Sequence, residues 1–181
     1  MRKELSGWSV FAVIAPALAA APAFAVQYLT LEQAQQLMFP GASRFVSQPV
    51  RLNAEQKRSV ERYATVKMRT SEQPVWRVEA SGTTLGWFVT DEVFGKHEFI
   101  TYAVALDAGG TVRGVEILDY RETHGGEVRD ARWRAQFAGK RYGDTLKLDA
   151  DIQNISGATL SCKHITEGVR RILALHQTAL R

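Results

Sequence analysis

Ser156-Gly157-Ala158-Thr159-Leu160-Ser161 opens the last amphipathic stretch of the chain, and its residue types suit one kind of chemistry. Small side chains let a bulky ligand press against the backbone, and Gly157 admits a turn that a β-carbon would penalise. A helix start gathers unpaired N–H groups and the positive end of the helix dipole, so it attracts phosphate. Thr159 and Ser161 add hydroxyls at that spot. A hydroxyl beside a phosphate-attracting helix start is where a phosphorylated cofactor could be held, or even esterified. The competing reading is an ordinary turn with serine and threonine caps.

Arg121 to Glu127 is the second place where chemistry could reside. Gly125-Gly126 permits close backbone approach, and Glu122, His124 and Glu127 crowd polar groups around it. A polar loop between a strand and a helix would contain such residues in any case. As zinc ligands they make a poor set, with no second histidine close in sequence, so no metal site is expected. Cys162 is the only cysteine, which excludes an internal disulfide, a CxxCH haem site and a cysteine-cluster metal site. No Ser/His/Asp order suggests a hydrolase, and neither dinucleotide nor P-loop glycine patterns occur, so no catalytic residue is assigned.

The elements that must position these residues follow from periodicity. Thr30 with Gln33, and Asn53 with Gln56, form capping-box patterns for two helices, the first ended by Phe39-Pro40-Gly41 and the second running to Ala64. Packing on the sheet is the expectation for both. Val75 to Ala80, Thr83 to Thr90, Phe99 to Leu106 and Val112 to Tyr120 read as strands, with Asp107-Ala108-Gly109-Gly110 as a hairpin turn. Asp130 to Ala138 reads as a short helix turning Trp133 and Phe137 to the core. A final helix from about Ser161 to Ala179 buries Cys162, Ile165, Val169, Ile172, Leu173 and His176 on one stripe. Cys162 is then a small buried hydrophobe, His176 a satisfied core histidine, and Thr159 sits just outside the core. Strands next to one another in sequence, with helices at both ends, predict an α+β fold: an antiparallel sheet flanked by helices.

Composition fits one small domain. The chain has 181 residues, 45% hydrophobic, and a formal charge of +4. Arg2 and Lys3, an apolar run from Trp8 to Ala20, and Ala23-Phe24-Ala25 predict a secretory signal over 1–25, cleaved after Ala25. Export to the periplasm is the expectation, with a membrane anchor on the periplasmic side as the alternative. Losing Arg2, Lys3 and Glu4 would lower the charge by one unit, and no basic run argues for nucleic acid as a partner.

Ser156-Gly157-Ala158-Thr159 followed by a helix closely resembles the flavin-attachment signature of the FMN-binding domain family, which includes covalent-FMN subunits of Rnf and sodium-pumping NADH:quinone reductase complexes. Glu122-Thr123-His124-Gly125-Gly126-Glu127, then Trp133 and Phe137-Ala138-Gly139-Lys140, is similar to the family's preceding loop and short helix. The resemblance covers roughly 96–175 and divides the chain into a signal (1–25), an N-terminal helical extension (26–70) and a single FMN-binding domain (71–181). It implies FMN as cofactor, a phosphoester on Thr159 made by a flavin transferase, and binding contributions from Ser156, Gly157, Ala158, Leu160 and Ser161. It implies further that Glu122, Thr123, His124, Gly125 and Gly126 approach the flavin, with His124 biasing its protonation. Family members commonly carry aspartate six positions before the threonine, where this chain has Gln153. His97, His164 and the tryptophans Trp76, Trp87 and Trp133 carry less weight, the tryptophans being read as packing. The expected function is an electron carrier serving a redox partner protein, soluble or membrane-bound, and not an enzyme with its own substrate. The alternatives are a non-redox module binding FMN or another phosphorylated ligand, and a flavin-free structural subunit of a membrane redox complex.

Overall fold

A computed structural model describes residues 26–181. The expected signal and its cleavage site lie outside the described residues. Along them run β1 (Val26–Gln27), α1 (Leu31–Met38), β2 (Arg44–Ser47), β3 (Val50–Arg51), α2 (Ala54–Ala64), β4 (Glu72–Gln73), β5 (Val75–Ala80), β6 (Thr83–Phe94), β7 (Phe99–Asp107), β8 (Val112–Tyr120), α3 (Ala131–Arg134) and α4 (Thr159–Ala179). The main sheet is antiparallel, in the order β1-β8-β7-β6-β5-β2, and β3 pairs with β4 in a separate ribbon.

β7 lies at the heart of both layers. Its alternate residues Ile100, Tyr102, Val104 and Leu106 face α4 and share a core with Ile165, Val169 and Ile172. Ala103 and Ala105 point the other way, where Ala34 of α1 and Phe39 cover them with Phe88 and Val78. This is period-two patterning with both faces covered, and each large aliphatic side chain so buried contributes roughly 1.5–3 kcal/mol. The expected α+β architecture is what the chain adopts.

Both capping boxes form. Thr30 Oγ1 accepts the Gln33 N–H at 3.2 Å, and Gln33 Oε1 accepts the Thr30 N–H at 2.8 Å. Asn53 and Gln56 make the same reciprocal pair at the start of α2. α1 packs on the sheet as expected, but α2 does not: Val60 and Met68 pack with Ala174 of α4. Arg170 of α4 also donates from Nε to the Ala64 carbonyl at 3.2 Å, satisfying an orphan acceptor at the end of α2. The segment 26–70 holds strands as well as helices. β1 pairs with β8 at one edge of the main sheet and β2 with β5 at the other. Strands of two and four residues carry too little alternation to be read from sequence.

Two further differences bear on the site. β6 runs four residues past Thr90, because Asp91, a residue type depleted in strands, is paired inside the core with Arg171 and Tyr102. The helix expected over Asp130 to Ala138 is one α-turn followed by a 3-10 turn, Ala135–Phe137, with Asp130 accepting the Arg132 N–H as its cap. Trp133 and Phe137 are buried as expected, in edge-to-face contact at 5.2 Å.

Candidate functional site

The site begins with how the chain is led into α4. Trp133 Nε1 donates to the Gln153 carbonyl, and the Gln153 N–H donates to Gln136 Oε1, both at 2.8 Å, so α3 and the 3-10 turn pin residue 153 from both sides. The chain then turns at Gly157, in the left-handed region at φ +86°, and a β-carbon there would meet nothing within 4 Å. That glycine is required by conformation, and the space beside it is open. α4 starts directly afterwards with Ala158 as its cap residue, and no side chain caps it. The Ala158 N–H is taken by Ile155 and the Cys162 N–H by Ala158, while those of Thr159, Leu160 and Ser161 find no partner among the described residues. Three convergent free donors at the positive end of a 21-residue helix form an anion cradle. The reading of the turn as serine- and threonine-capped is thereby set aside.

Opposite stands the loop after β8. Gly125, at φ +82°, is pressed against the turn that leads into α4: a β-carbon on it would lie 3.1 Å from Ala158 Cβ and 2.8 Å from the Tyr120 hydroxyl. The close approach expected of Gly125-Gly126 is thus protein against protein at Gly125. At Gly126 an added β-carbon would meet only the flexible end of Arg129. Tyr120 donates its hydroxyl to the His124 carbonyl at 2.6 Å and lies 3.4 Å from Ser161 Oγ. Burial raises the Tyr120 pKa above its ordinary value, with Ser161 pulling the other way.

Between the loop and α4 opens a cleft of about 1340 Å³. Thr159, Gly157, Ala158, Leu160 and Ser161 line one side, and Glu122, Thr123, His124, Gly125 and Gly126 the other. Of the expected site residues only Ser156 lies off the lining; it is exposed. Thr159 is exposed, and its Oγ1 accepts from Asn154 Nδ2 at 3.2 Å, which leaves the hydroxyl's own proton uncommitted. Ser161 is buried at the third helical position, so its expected capping role is not the one it has.

Glu122 also behaves differently from the expectation. It lines the cleft, but its Oε1 accepts the N–H groups of Lys96, His97 (2.6 Å) and Glu98 (3.1 Å) in the β6–β7 turn. Partial burial pushes its pKa up, and the three N–H bonds more than offset this and leave it below the usual value.

Sequence reasoning missed five lining residues: Tyr28, Lys96, His97, Tyr120 and Arg129. Arg129 lies with its guanidinium 4.4 Å from the Tyr28 ring centroid and donates to the Gly126 carbonyl at 2.8 Å. None belongs to a motif: Tyr120 and Arg129 flank the loop in sequence, whereas the folding of the β6–β7 turn and the N-terminal segment over the cleft brings Lys96, His97 and Tyr28 there. His164 turns away and bonds the Phe94 carbonyl, and Trp76, Trp87 and Trp133 belong to the packing, as read. His176 is buried, but its Nε2 has no partner, so it is not the satisfied core histidine expected. Among the described residues no three His, Cys, Asp or Glu gather as a metal site, and no helix is long and apolar enough to cross a membrane.

An uncapped helix start, a left-handed glycine with open space beside it and a wide cleft edged by Lys96 and Arg129 fit a flavin nucleotide with its phosphate at α4. Such a cleft defines a phosphorylated-cofactor binder on an α+β frame. Residues 95–174 match the FMN-binding domain family, and the cofactor is FMN. A protein of the Na(+)-translocating ferredoxin:NAD(+) oxidoreductase complex of Acetobacterium woodii is 27% identical over 157 residues, covering 80% of this chain and 72% of that one. A component of the Na(+)-translocating NADH-quinone reductase of Parabacteroides distasonis has a similar fold, with a TM-score of 0.50 at 15% identity over 83% of each chain. NqrC of Shewanella oneidensis aligns with a TM-score of 0.47 at 19% identity, over 83% of this chain and 75% of that one.

Proposed function

We propose that this chain is an exported flavoprotein electron carrier that holds FMN in the cleft as a phosphoester on Thr159. One observation carries the reading: the exposed Thr159 hydroxyl stands on the first turn of a helix whose first three N–H groups are free. Those donors hold a phosphate against Thr159, and the open space beside Gly157 leaves it room. FMN, when bound, accepts and gives electrons singly or in pairs, so it joins two-electron and one-electron partners. The protein's residues bind the nucleotide, orient it and limit its contact with water. The relative from Acetobacterium, named as part of an oxidoreductase complex, supports service to a redox partner in place of a substrate of its own. Arg2-Lys3, the apolar run and Ala23-Phe24-Ala25 support export, with a flavin transferase acting on Thr159 outside the cytoplasm.

Co-expression with a flavin transferase, followed by a denaturing gel under blue light and intact-mass measurement, tests this. The wild type should fluoresce and gain the mass of one FMN less one water. Thr159→Ala should be dark, with stability changed by no more than about 0.5 kcal/mol, as for an exposed surface substitution. A fluorescent Thr159→Ala band names another hydroxyl. A second reading, FMN held without an ester, is favoured by Gln153 at the position where the family commonly has aspartate. Its side chain is exposed and its backbone already pinned, so Gln153→Asp should restore labelling to a dark wild type without disturbing the turn. N-terminal sequencing of the exported protein should begin at Val26; a retained Met1 in a membrane fraction favours the anchored alternative.

A further inference from the structure

We infer that Glu122 is a positioning residue of the FMN cleft: its carboxylate clamps the β6–β7 turn so that Lys96 and His97 form the cleft's second wall. This rests on FMN occupying the cleft, as proposed above. Turns of four residues between long strands are ordinarily held by their own hydrogen bonds. Here the Gly95 N–H bonds the Glu98 carbonyl, while Lys96, His97 and Glu98 all send their N–H groups to one oxygen of a side chain from the loop after β8. Gly95 shows how closely the two fit, since a β-carbon on it would stand 2.4 Å from that same oxygen. Its φ does not require glycine; the approach of Glu122 does.

The consequence is mechanical and electrostatic. The carboxylate's charge is spent on three backbone donors, so it does not oppose an anionic ligand as a free glutamate in the cleft would. The same bonds tie the turn that bears Lys96 and His97 to the segment that bears His124, Gly125 and Gly126. Gly125 in turn packs on Ala158 beside the attachment turn. The clamp thus sets the distance between the two walls, and a cation from Lys96 is delivered to a cleft that must hold a phosphorylated ligand.

Glu122→Ala removes the acceptor, Gly95→Ala keeps it but forces it away, and Glu122→Gln keeps a neutral acceptor. Two readouts separate clamp from cofactor. Amide hydrogen exchange in the FMN-free protein should speed up about tenfold or more at Lys96, His97 and Glu98 in both alanine variants, with the β7–β8 ladder unchanged and Glu122→Gln intermediate. Fluorescence titration with free FMN should show affinity weakened by about tenfold in both alanine variants and partly recovered in Glu122→Gln. Unchanged exchange at the turn overturns the clamp. Faster exchange with wild-type FMN affinity overturns its role toward the flavin and leaves a structural tie. A wild type that takes up no FMN is the failure of the cofactor reading, visible before any variant is made, and this proposal falls with it.

Discussion

The first turn of α4 and the stretch from Cys162 to His176 belong to one continuous helix, yet they are treated in opposite ways. At the first turn Thr159 and Leu160 are exposed, no side chain caps the helix, and three N–H groups are free. Three turns on, Arg171 is buried with Asp91, and the oxygen of Asp91 that it binds also takes the Tyr102 hydroxyl at 2.8 Å. Arg171 Nη1 reaches the Lys67 carbonyl at 3.3 Å as well. A protein normally satisfies its helix ends cheaply and keeps charges out of its core. This one leaves the cheap end unsatisfied and packs the costly charges in the middle. The difference has a physical use: a helix held by core packing and a paired charge can present bare donors at its start without fraying.

The largest effect should come from breaking the held half. Arg171→Met keeps most of the stem's volume but strands the Asp91 carboxylate in the core, and losing one partner of a buried pair costs about 3–5 kcal/mol. Urea unfolding measures it, and Asp91→Asn in the same chain should return part of the loss. If Arg171→Met costs under about 1 kcal/mol, the pair does not anchor the helix. FMN labelling per folded molecule should be unchanged, since nothing at the first turn has moved.

A pair of glycines sharpens the contrast. Glycine inside a helix is usually improved by alanine, by up to about 1 kcal/mol. At Gly168 the sign should reverse, because a β-carbon would lie 2.0 Å from the Tyr102 hydroxyl; a net loss of about 1–3 kcal/mol is expected. At Gly157 the new carbon would meet nothing, and the cost is the left-handed backbone alone, about 1 kcal/mol. Flavin uptake should suffer only at Gly157, where the methyl enters open cleft space. Loss of flavin in Gly168→Ala, or none in Gly157→Ala, would erase the distinction between the two halves.

The buried half also carries a pH signature. His176 is buried with Nε2 unpartnered, and burial, then the charge of Arg181, pull its pKa below 6.5, against Asp107 and a backbone bond at Ala108. The unfolded chain therefore binds this proton more readily, and stability is lost as pH falls through about 6.5 toward the folded value. His176→Leu should flatten the urea midpoint between about pH 7.5 and pH 5.5 relative to wild type. An equal slope in both proteins would mean that His176 is not neutral in the fold.

Much of this was legible in the chain because local rules wrote it. The capping boxes at Thr30 and Asn53, the aliphatic runs of β5 to β8 and the stripe along α4 need only neighbours in sequence. So does the turn before α4, where Gly157 takes the left-handed backbone that its type allows. The rest depends on contacts distant in sequence. Asp91 ends a strand on propensity and extends one because Arg171, 80 residues away, meets it. Glu122 reads as a ligand-facing acid until Lys96, His97 and Glu98 fold onto it. Tyr28, Lys96 and His97 reach the cleft by topology, and no spacing could have placed them there.

Ser161 is the smallest effect and the finest test of where the exposed half ends. On sequence it is a helix cap, and losing a cap costs about 0.5–2 kcal/mol. In the fold Ala158 holds the cap position and Ser161 is the third residue of the helix, its Oγ 3.4 Å from the Tyr120 hydroxyl. That separation is long for two hydroxyls, and Tyr120 already donates to the His124 carbonyl at 2.6 Å, so removing Ser161 Oγ strands no donor on Tyr120. Alanine is also the better helix former at that position. Ser161→Ala should therefore move the urea midpoint by less than about 0.5 kcal/mol and leave the fluorescent band intact. A loss above about 1 kcal/mol, or a dark band, would give the Ser161 hydroxyl, buried where it lines the cleft, a working role that its hydrogen bonds do not show.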